Sequence, residues 1–259
     1  MFNNKTILLT GAGGGIGSAI ANTLSEAGAL LVLVGLELDE LERLNQTLGG
    51  QHHALQSDIA TKEGRENIFQ FCQQLENGID ILINNAGIGQ FSLFENMTTE
   101  HISSLITVNL TSTILLTQKL LPALALRTEA QIVNIGSTLG SIGYPGSSVY
   151  CASKFGIRGF SEALRRELMD SSISVSYFAP RATKTAINDE KVVAMNNELG
   201  THMDSPEQVA EALFKVIKAG DKNYYMGWPE KLFTRINSLL PSIVDKSIIK
   251  QLPIIKQYL

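Results

Sequence analysis

Two residues in the stretch VYCASKFGIRGF (149–160) have the types and the spacing needed for proton transfer. Tyr150 precedes Lys154 by four positions, which in a helix places both side chains on one face about one turn apart. A free phenol has a pKa of ~10, and a nearby ammonium stabilises its phenolate form. Tyr150 is therefore a candidate general acid for carbonyl reduction, or general base for alcohol oxidation. About 0.3 such pairs arise by chance in a chain of this composition, so two unrelated residues on a packed helix are the alternative.

A second candidate site is the glycine-rich turn TGAGGGIG (10–17), which lies between an apolar run and an amphipathic run. Glycines at this place let the backbone approach a pyrophosphate, which binds at the positive end of the following helix. Gly11, Gly15 and Gly17 fit the pattern T-G-x-x-x-G-x-G, whereas the strict G-x-G-x-x-G pattern fails because Ile16 occupies the sixth position. An ordinary flexible turn is the alternative, but the placement favours nucleotide binding.

Short apolar runs alternate with longer amphipathic runs through most of the chain. The predicted strands are 6–10, 30–35, 52–59, 79–87, 130–137 and 173–180, and the predicted helices are 16–28, 38–48, 62–76, 100–125 and 150–168. The strands are almost continuously apolar, as in a parallel sheet covered by helices on both faces. The repeated strand–helix order predicts a single α/β domain with a doubly wound parallel sheet, a Rossmann fold, over residues 1–227.

The composition is that of a globular protein, with 259 residues, 44% hydrophobic content and a formal net charge of −4. This charge argues against general nucleic-acid binding, which depends on clustered Lys and Arg. Neither Cys72 and Cys151 nor the four histidines show the spacing of a metal site or a disulfide framework. No signal peptide or spanning segment is visible, so we expect a cytoplasmic protein with reduced thiols and no metal.

Five signals follow one another in order along residues 5–220. They are TGAGGGIG, NNAG (84–87), Asn109 in TVNL, Ser137 in NIGS, and Tyr150-x-x-x-Lys154. Together they resemble the short-chain dehydrogenase/reductase family, whose members are single-domain, NAD(P)-dependent oxidoreductases. The resemblance implies interconversion of a carbonyl and a secondary alcohol, with the nicotinamide carrying the hydride.

The resemblance also implies a role for each catalytic candidate. Tyr150 would exchange the proton, and Lys154 would also hold the nicotinamide ribose. Ser137 would hydrogen-bond the reacting oxygen, and Asn109 would hold a water that links Lys154 to solvent. Taken singly, a capping serine, a polar residue in a helix kink and a core tyrosine are the alternatives.

The cofactor contacts carried over by the resemblance come from five segments. They are Gly11, Gly15, Ile16, Gly17, Asp58, Ile59, Asn85, Ala86, Gly87, Tyr150, Lys154, Pro180 and Thr185. Asp58 and Ile59 would contact the adenine, whereas Pro180 and Thr185 would lie beside the carboxamide. A purely structural turn is an alternative for Asn84. Arg181 stands where the family usually has Gly, and it could alter the loop path, meet an anionic group or face solvent.

The end of the second strand, LLVLVGLELDE, decides between NAD and NADP. In the family, NAD members usually carry Asp at the position of Gly35, and many NADP members carry Arg at Leu36 or a basic residue at Gly14. This chain has none of these residues. Glu37 would repel a 2′-phosphate, so we expect an NAD(P) enzyme that favours NAD.

Residues 183–204 stand where the family has a mobile substrate lid, and the sequence SPEQ that follows predicts a capped helix. The apolar residues of this segment suggest a wall for a hydrophobic or lipid-like substrate. A helix that only packs on the core would have the same pattern.

Residues 228–259 form a predicted C-terminal extension with an unusual charge. Five basic and two acidic residues give it +3, which leaves −7 for the rest of the chain. Its apolar residues have helical spacing, although Pro241 should split the run. Peripheral contact with an anionic membrane is one interpretation, and packing on the domain core or on a neighbouring subunit is another.

Two function classes follow from these patterns. The first is an oxidoreductase acting on a small carbonyl or alcohol, assembled as a homodimer or homotetramer through helices 102–126 and 150–169. The second is a catalytically silent NAD(P) sensor or scaffold, which would be expected to lack Tyr150, Lys154 or Ser137. Epimerisation or dehydration on the same fold is a third possibility.

Overall fold

A parallel β-sheet forms the centre of the computed structural model, which describes residues 2–185, 187–188 and 190–259. Within these residues the sheet has seven strands in the order β3-β2-β1-β4-β5-β6-β7. The strands are β1 (Thr6–Thr10), β2 (Leu30–Gly35), β3 (His53–Gln56), β4 (Ile81–Asn84), β5 (Ala130–Ile135), β6 (Ile173–Ala179) and β7 (Asn223–Tyr225). The order reverses between β1 and β4, which confirms the doubly wound prediction and places a ligand crevice at that switch point.

Helices cover both faces of the sheet. They are α1 (Gly15–Glu26), α2 (Leu38–Thr47), α3 (Lys62–Gln74), α4 (Thr99–Ile106), α5 (Ser112–Ala125), α6 (Ser148–Glu167), α7 (Glu190–Glu198), α8 (Pro206–Ala219), α9 (Trp228–Leu239) and α10 (Pro241–Gln257). Successive residues of β1 point to opposite cores: Ile7 packs with α1, α2 and α8, and Leu8 packs with α3, α5 and α6. Burial on both faces explains why the strands are apolar throughout rather than alternating.

The helix predicted over 100–125 is not continuous. A π-helical turn, Thr107–Thr111, separates α4 from α5, with the buried Asn109 at its centre. The Ser112 hydroxyl donates to the Thr107 carbonyl oxygen at 2.7 Å, which satisfies an acceptor in the widened turn. Such a turn inserts a residue into a helix and is common at functional sites.

The segment predicted as a substrate lid, 183–204, contains α7, and residues 186 and 189 of that segment lie outside the described residues. The predicted capping box that follows is confirmed. The Ser205 hydroxyl accepts from the Gln208 amide at 3.3 Å, and the Gln208 side chain accepts from the Ser205 amide at 2.9 Å. Reciprocal bonds of this kind fix the start of α8.

The C-terminal segment 228–259 folds into α9 and α10, which contact each other. Pro241 begins α10, so the predicted split of the apolar run is confirmed. Asn237 on α9 donates to the Ser141 carbonyl oxygen at 2.8 Å. Among the described helices, none is both long enough and apolar enough to cross a membrane.

Candidate active site

Tyr150 and Lys154 lie in the first two turns of α6, facing the carboxyl end of β5. The Lys154 Nζ lies 5.7 Å from the centroid of the Tyr150 ring and donates to the Ile135 carbonyl oxygen at 3.1 Å. The side chain of Lys154 is buried. The α6 helix therefore brings the predicted acid/base and its cationic partner together.

Burial controls the proton affinity of both groups. It lowers the pKa of Lys154 to about 8, because a charged ammonium is disfavoured away from water. It raises the pKa of Tyr150 to about 12, while a side-chain hydrogen bond with Ser137 acts in the opposite direction. The downward shift of the phenol pKa expected from Lys154 is not seen in this structure, where desolvation is the largest cause of the shift and the hydrogen bond with Ser137 is what lowers the pKa.

Ser137 follows β5 and is held by a buried tyrosine that sequence reasoning missed. The Tyr177 hydroxyl donates to the Ser137 carbonyl oxygen at 3.0 Å. A Cβ on Gly136 would lie 2.2 Å from the Tyr177 ring, so only glycine fits there. The Ser137 hydroxyl accepts from the Leu139 amide at 3.1 Å. The capping and the catalytic interpretations of Ser137 are therefore compatible. Its hydroxyl oxygen can accept from the Leu139 amide while the hydroxyl also hydrogen-bonds Tyr150.

The side-chain amide of Asn109 is occupied by protein groups. Its oxygen accepts from the Ile88 amide at 2.8 Å, and its nitrogen donates to the Ile88 carbonyl oxygen at 2.9 Å and to the Ser153 hydroxyl at 3.3 Å. The π-helical turn thus fastens the loop after β4 to α6. A Cβ on Gly87 would lie 3.3 Å from the Asn109 oxygen and 3.7 Å from the Lys154 Nζ, so this loop closely approaches the catalytic pair.

The glycine turn and the NNAG loop contact each other at the switch point of the sheet. The Asn85 side chain donates to the carbonyl oxygens of Thr10 and Gly11 at 3.0 and 3.1 Å, and the Thr10 hydroxyl accepts from the Ala86 amide at 3.1 Å. Gly11 has a φ of 66°, which favours glycine, and a Cβ there would lie 2.8 Å from the Ala86 Cα. Asn84 is buried and donates to Asn134 at 2.8 Å, so its part is structural.

A dinucleotide fits this crevice. The exposed residues 13–15 lead into the first turn of α1, which itself contains no acidic residue, and the amide groups at such a helix start favour an anion. A Cβ on Gly15 would lie 3.1 Å from the Thr185 methyl group, so Thr185 closes over the glycine turn. Gly17 allows close packing, since a Cβ there would lie 2.0 Å from the Gly11 oxygen. Ile16 packs against the core.

The remaining predicted contacts lie on either side of this crevice. Pro180 is buried, and its carbonyl oxygen accepts from the Thr138 amide at 3.0 Å, which ties the end of β6 to the loop after Ser137. Asp58 and Ile59 follow β3, two strands from β1. The Asp58 carboxylate accepts from the Ala60 amide at 2.8 Å and holds its own turn, whereas Ile59 packs into the core.

Sequence reasoning chose Glu37 as the carboxylate near the cofactor and overlooked Glu40. A Cβ on Gly13 would lie 3.1 Å from the Glu40 carboxylate oxygen, so this side chain reaches the glycine turn. Glu40 lies about one helical turn after Glu37, so the sequence spacing could have shown that the two carboxylates share one face of the helix. Negative charge therefore lies beside Gly13 of the glycine turn.

Arg181 meets two carboxylates rather than solvent. It forms a bidentate pair with Asp204, with both distances 2.8 Å, and its Nη1 lies 3.3 Å from the Glu230 carboxylate. Asp204 belongs to the end of the lid segment, and Glu230 belongs to α9. One guanidinium therefore joins the loop after β6, the base of α8 and the C-terminal helices.

A family model and curated relatives identify the family of this chain. Residues 5–196 match the model described as short chain dehydrogenase. Nodulation protein G of Rhizobium sp. (strain N33) is 37% identical over 186 residues, covering 72% of this chain and 76% of the relative. The 3-oxoacyl-[acyl-carrier-protein] reductase FabG of Haemophilus influenzae is 31% identical over 228 residues, covering 86% of this chain and 94% of the relative.

A solved structure has the same fold. It is a short chain dehydrogenase/reductase from Burkholderia phymatum in complex with NAD, with a TM-score of 0.84 at 20% identity, and the match covers 93% of this chain and 95% of the other. The family model matches most of the chain, and the described fold has the strand order of a Rossmann domain. The chain therefore belongs to the short chain dehydrogenase family of NAD(P)-dependent oxidoreductases.

Proposed function

We propose that this enzyme interconverts a carbonyl group and a secondary alcohol, with Tyr150 as the proton donor or acceptor. The observation that carries the proposal is the burial of Lys154 against the Tyr150 ring, beside Ser137 at the carboxyl end of β5. When bound, NAD(P) supplies or accepts the hydride. The chain supplies the proton and the orientation of the reacting oxygen.

The hydroxyls of Ser137 and Tyr150 hydrogen-bond that oxygen in this proposal. The backbone at Ser137 is held in place by the bond from the Tyr177 hydroxyl and by the bond from the next amide, that of Thr138, to the Pro180 carbonyl. The Ser137 hydroxyl therefore needs little reorganisation to meet the reacting oxygen. Lys154 stabilises negative charge on the phenol oxygen and holds the nicotinamide ribose. Asn109 positions Ile88 through its side chain, and in this proposal it also holds a water that links Lys154 to solvent.

Residues of both faces of the crevice would hold the dinucleotide. The turn with Gly11, Gly15 and Gly17 would receive the pyrophosphate, and Asp58 and Ile59 would flank the adenine. Asn85, Ala86 and Gly87 would cover the middle of the cofactor, with Ile16 beneath it. Pro180 and Thr185 would lie beside the carboxamide.

We expect NADH to be preferred over NADPH, because the carboxylates of Glu37 and Glu40 repel a 2′-phosphate. Glu40→Ala should reduce the preference for NADH, measured as kcat/KM with NADH divided by kcat/KM with NADPH, by about tenfold. This change corresponds to roughly 1.4 kcal/mol of repulsion between the carboxylate and the 2′-phosphate. Glu42→Ala is the matched control, since Glu42 is an exposed carboxylate on the same helix. A wild-type preference for NADPH would contradict the proposal.

The substrate is proposed to be hydrophobic or lipid-like, with a 3-oxoacyl thioester as the first candidate. Support comes from the relative named 3-oxoacyl-[acyl-carrier-protein] reductase and from the buried Met195 and Met203 in the lid segment. The test is a panel of 3-oxoacyl thioesters of increasing chain length, simple ketones and sugars, followed by absorbance of the reduced cofactor. We expect turnover of the thioesters above that of sugars. Cofactor binding without turnover of any carbonyl or alcohol would favour the sensor alternative instead.

The assembly and the location are also proposals. A homodimer or homotetramer through α5 and α6 is supported by exposed apolar side chains on these helices, such as Leu115 and Phe155. We place the enzyme in the cytoplasm, with residues 228–259 making peripheral contact with a membrane.

A further inference from the structure

A cavity of about 490 Å³ lies between α6, β7 and α9, outside the catalytic crevice. Three cationic side chains line it, namely Arg158, Lys231 and Arg235, together with Tyr224 and Leu239. No acidic side chain is among its lining residues. Volumes of this size are typical of sites for small molecules.

These three cations have no carboxylate partner within the described part of the chain. Arg158 donates to the Ser141 hydroxyl at 2.9 Å, and the Lys231 Nζ lies 4.6 Å from the centroid of the Tyr224 ring. Glu230, the acidic residue of α9, is directed to Arg181 at 3.3 Å. Clustered like charges repel one another, so an anion in the cavity relieves this repulsion.

The outer face of α9 is apolar where a surface helix is normally polar. Trp228, Leu232 and Leu239 are 74%, 48% and 79% exposed, and their spacing places them on one stripe beside Arg235. Leu239 also lines the cavity, so the anion site and the apolar stripe are continuous. A soluble anion would leave this stripe in water, whereas an anion attached to hydrocarbon would cover it.

The exposed side chains of α10 repeat this combination. Ile243 and Ile249 are 51% and 63% exposed, and the lysines at 246 and 250 are exposed between and beside them. Helices with exposed apolar and cationic side chains side by side bind anionic bilayers through hydrophobic insertion and electrostatic attraction.

We propose that the cavity binds the phosphate of an anionic phospholipid, while Trp228, Leu232 and Leu239 enter the surface of the bilayer. This site deepens the membrane contact proposed for residues 228–259 and rests on it. Arg158, Lys231 and Arg235 hold the phosphate, and the acyl chains leave the cavity past Leu239. The catalytic crevice takes no part in this binding.

The test is flotation of the full chain with vesicles of phosphatidylcholine alone and with vesicles that also contain phosphatidylglycerol. Wild-type protein should float only with the anionic vesicles. Lys231→Gln combined with Arg235→Gln should lower the partition coefficient about thirtyfold, because each cation near an anionic surface strengthens binding by a factor of about five to six. The matched control is Lys215→Gln combined with Lys218→Gln, which removes two exposed lysines of α8 and should leave binding unchanged.

A second pair of variants and a soluble probe separate the possible outcomes. Trp228→Ser with Leu239→Ser should weaken flotation while leaving the cation cluster intact. Equal loss in the Lys215/Lys218 control would overturn the site in favour of general charge attraction. Unchanged flotation of the Lys231/Arg235 variant would overturn the cavity site but leave the membrane contact standing.

Binding of glycerol 3-phosphate without flotation on any vesicle would overturn both the lipid and the membrane contact, and it would identify a soluble anion as the ligand. Binding of neither probe would overturn the anion site altogether. Turnover of a soluble carbonyl, measured in parallel, reports on the proposed oxidoreductase separately. It should be unchanged in all three double variants, because none of them alters a residue of the catalytic crevice.

Discussion

Tyr150→Phe is expected to lower kcat/KM by about a thousandfold, the range in which a positioned general acid or base contributes to catalysis. The ring that packs against Lys154 is retained, and only the hydroxyl that exchanges the proton is lost. Cofactor affinity should therefore stay within about twofold of the wild type, as measured by fluorescence titration with NADH. The loss should appear in single-turnover measurements of the chemical step as well as in steady-state rates.

Tyr144→Phe is the matched control for this variant. Tyr144 is a partly buried phenol in the loop before α6, and burial raises its pKa as it does that of Tyr150. Its replacement should retain most of the activity, because its hydroxyl has no role in the proposed mechanism. Activity of the Tyr150 variant near that of wild type would remove Tyr150 from the catalytic assignment.

Lys154→Met is expected to change activity and stability in opposite directions. Activity should fall by more than a hundredfold, because the phenolate loses its cationic partner. Stability should rise, because a buried ammonium whose pKa is about 8 is protonated less readily than in the unfolded chain, where the pKa is 10.5. That difference costs the folded state about 3 kcal/mol at pH 7. The variant also loses the hydrogen bond to the Ile135 carbonyl, which offsets about 1–2 kcal/mol of this gain in stability.

The pH dependence of this stability gain has a definite sign. Because the folded pKa lies below the unfolded one, the wild type loses stability as pH falls from 10.5 to about 8, and the loss is constant below that range. The variant should therefore be more stable by about 1–2 kcal/mol at pH 7, and this advantage should vanish between pH 8 and pH 10.5. Urea unfolding at pH 7 and pH 10 measures the difference in stability between the variant and the wild type.

Lys215→Met is the matched control, since it replaces an exposed lysine, and it should show no such dependence. A Lys154→Met protein that is less stable than wild type at pH 7 would contradict the conclusion that burial of the charged ammonium destabilises the fold.

The sheet could be predicted from the sequence because burial on both faces leaves apolar runs that are bounded by glycines and polar residues. The strand β7 was missed, since three residues at a sheet edge are too few to show a period. The π-helical turn at Asn109 was also missed. Its residues continue the apolar spacing of the flanking helices, and the widened turn depends on the bond between Ser112 and Thr107.

Residues of the site that act through their neighbours were harder to identify. Tyr177 supports Ser137 from a position forty residues along the chain, within a strand whose apolar pattern gives no sign of this contact. The carboxylates that bind Arg181 are 23 and 49 residues away, so the sequence left its role open. Residues that touch the cofactor or the reacting atoms lie in short motifs, whereas the residues that hold them are brought together only by the fold.

The ion pairs of Arg181 have a mechanical consequence for this chain. Its bidentate bonds to Asp204 and its contact with Glu230 join the base of the lid and the C-terminal helices to the same loop after β6. A hinge motion that carries Asp204 away from this loop must either break a largely buried charge pair or take Arg181 and α9 with it. Breaking such a pair by separating its partners is strongly unfavourable. We therefore expect the segment predicted as a lid and the C-terminal helices to move together, so that admission of a substrate would be linked to the orientation of α9.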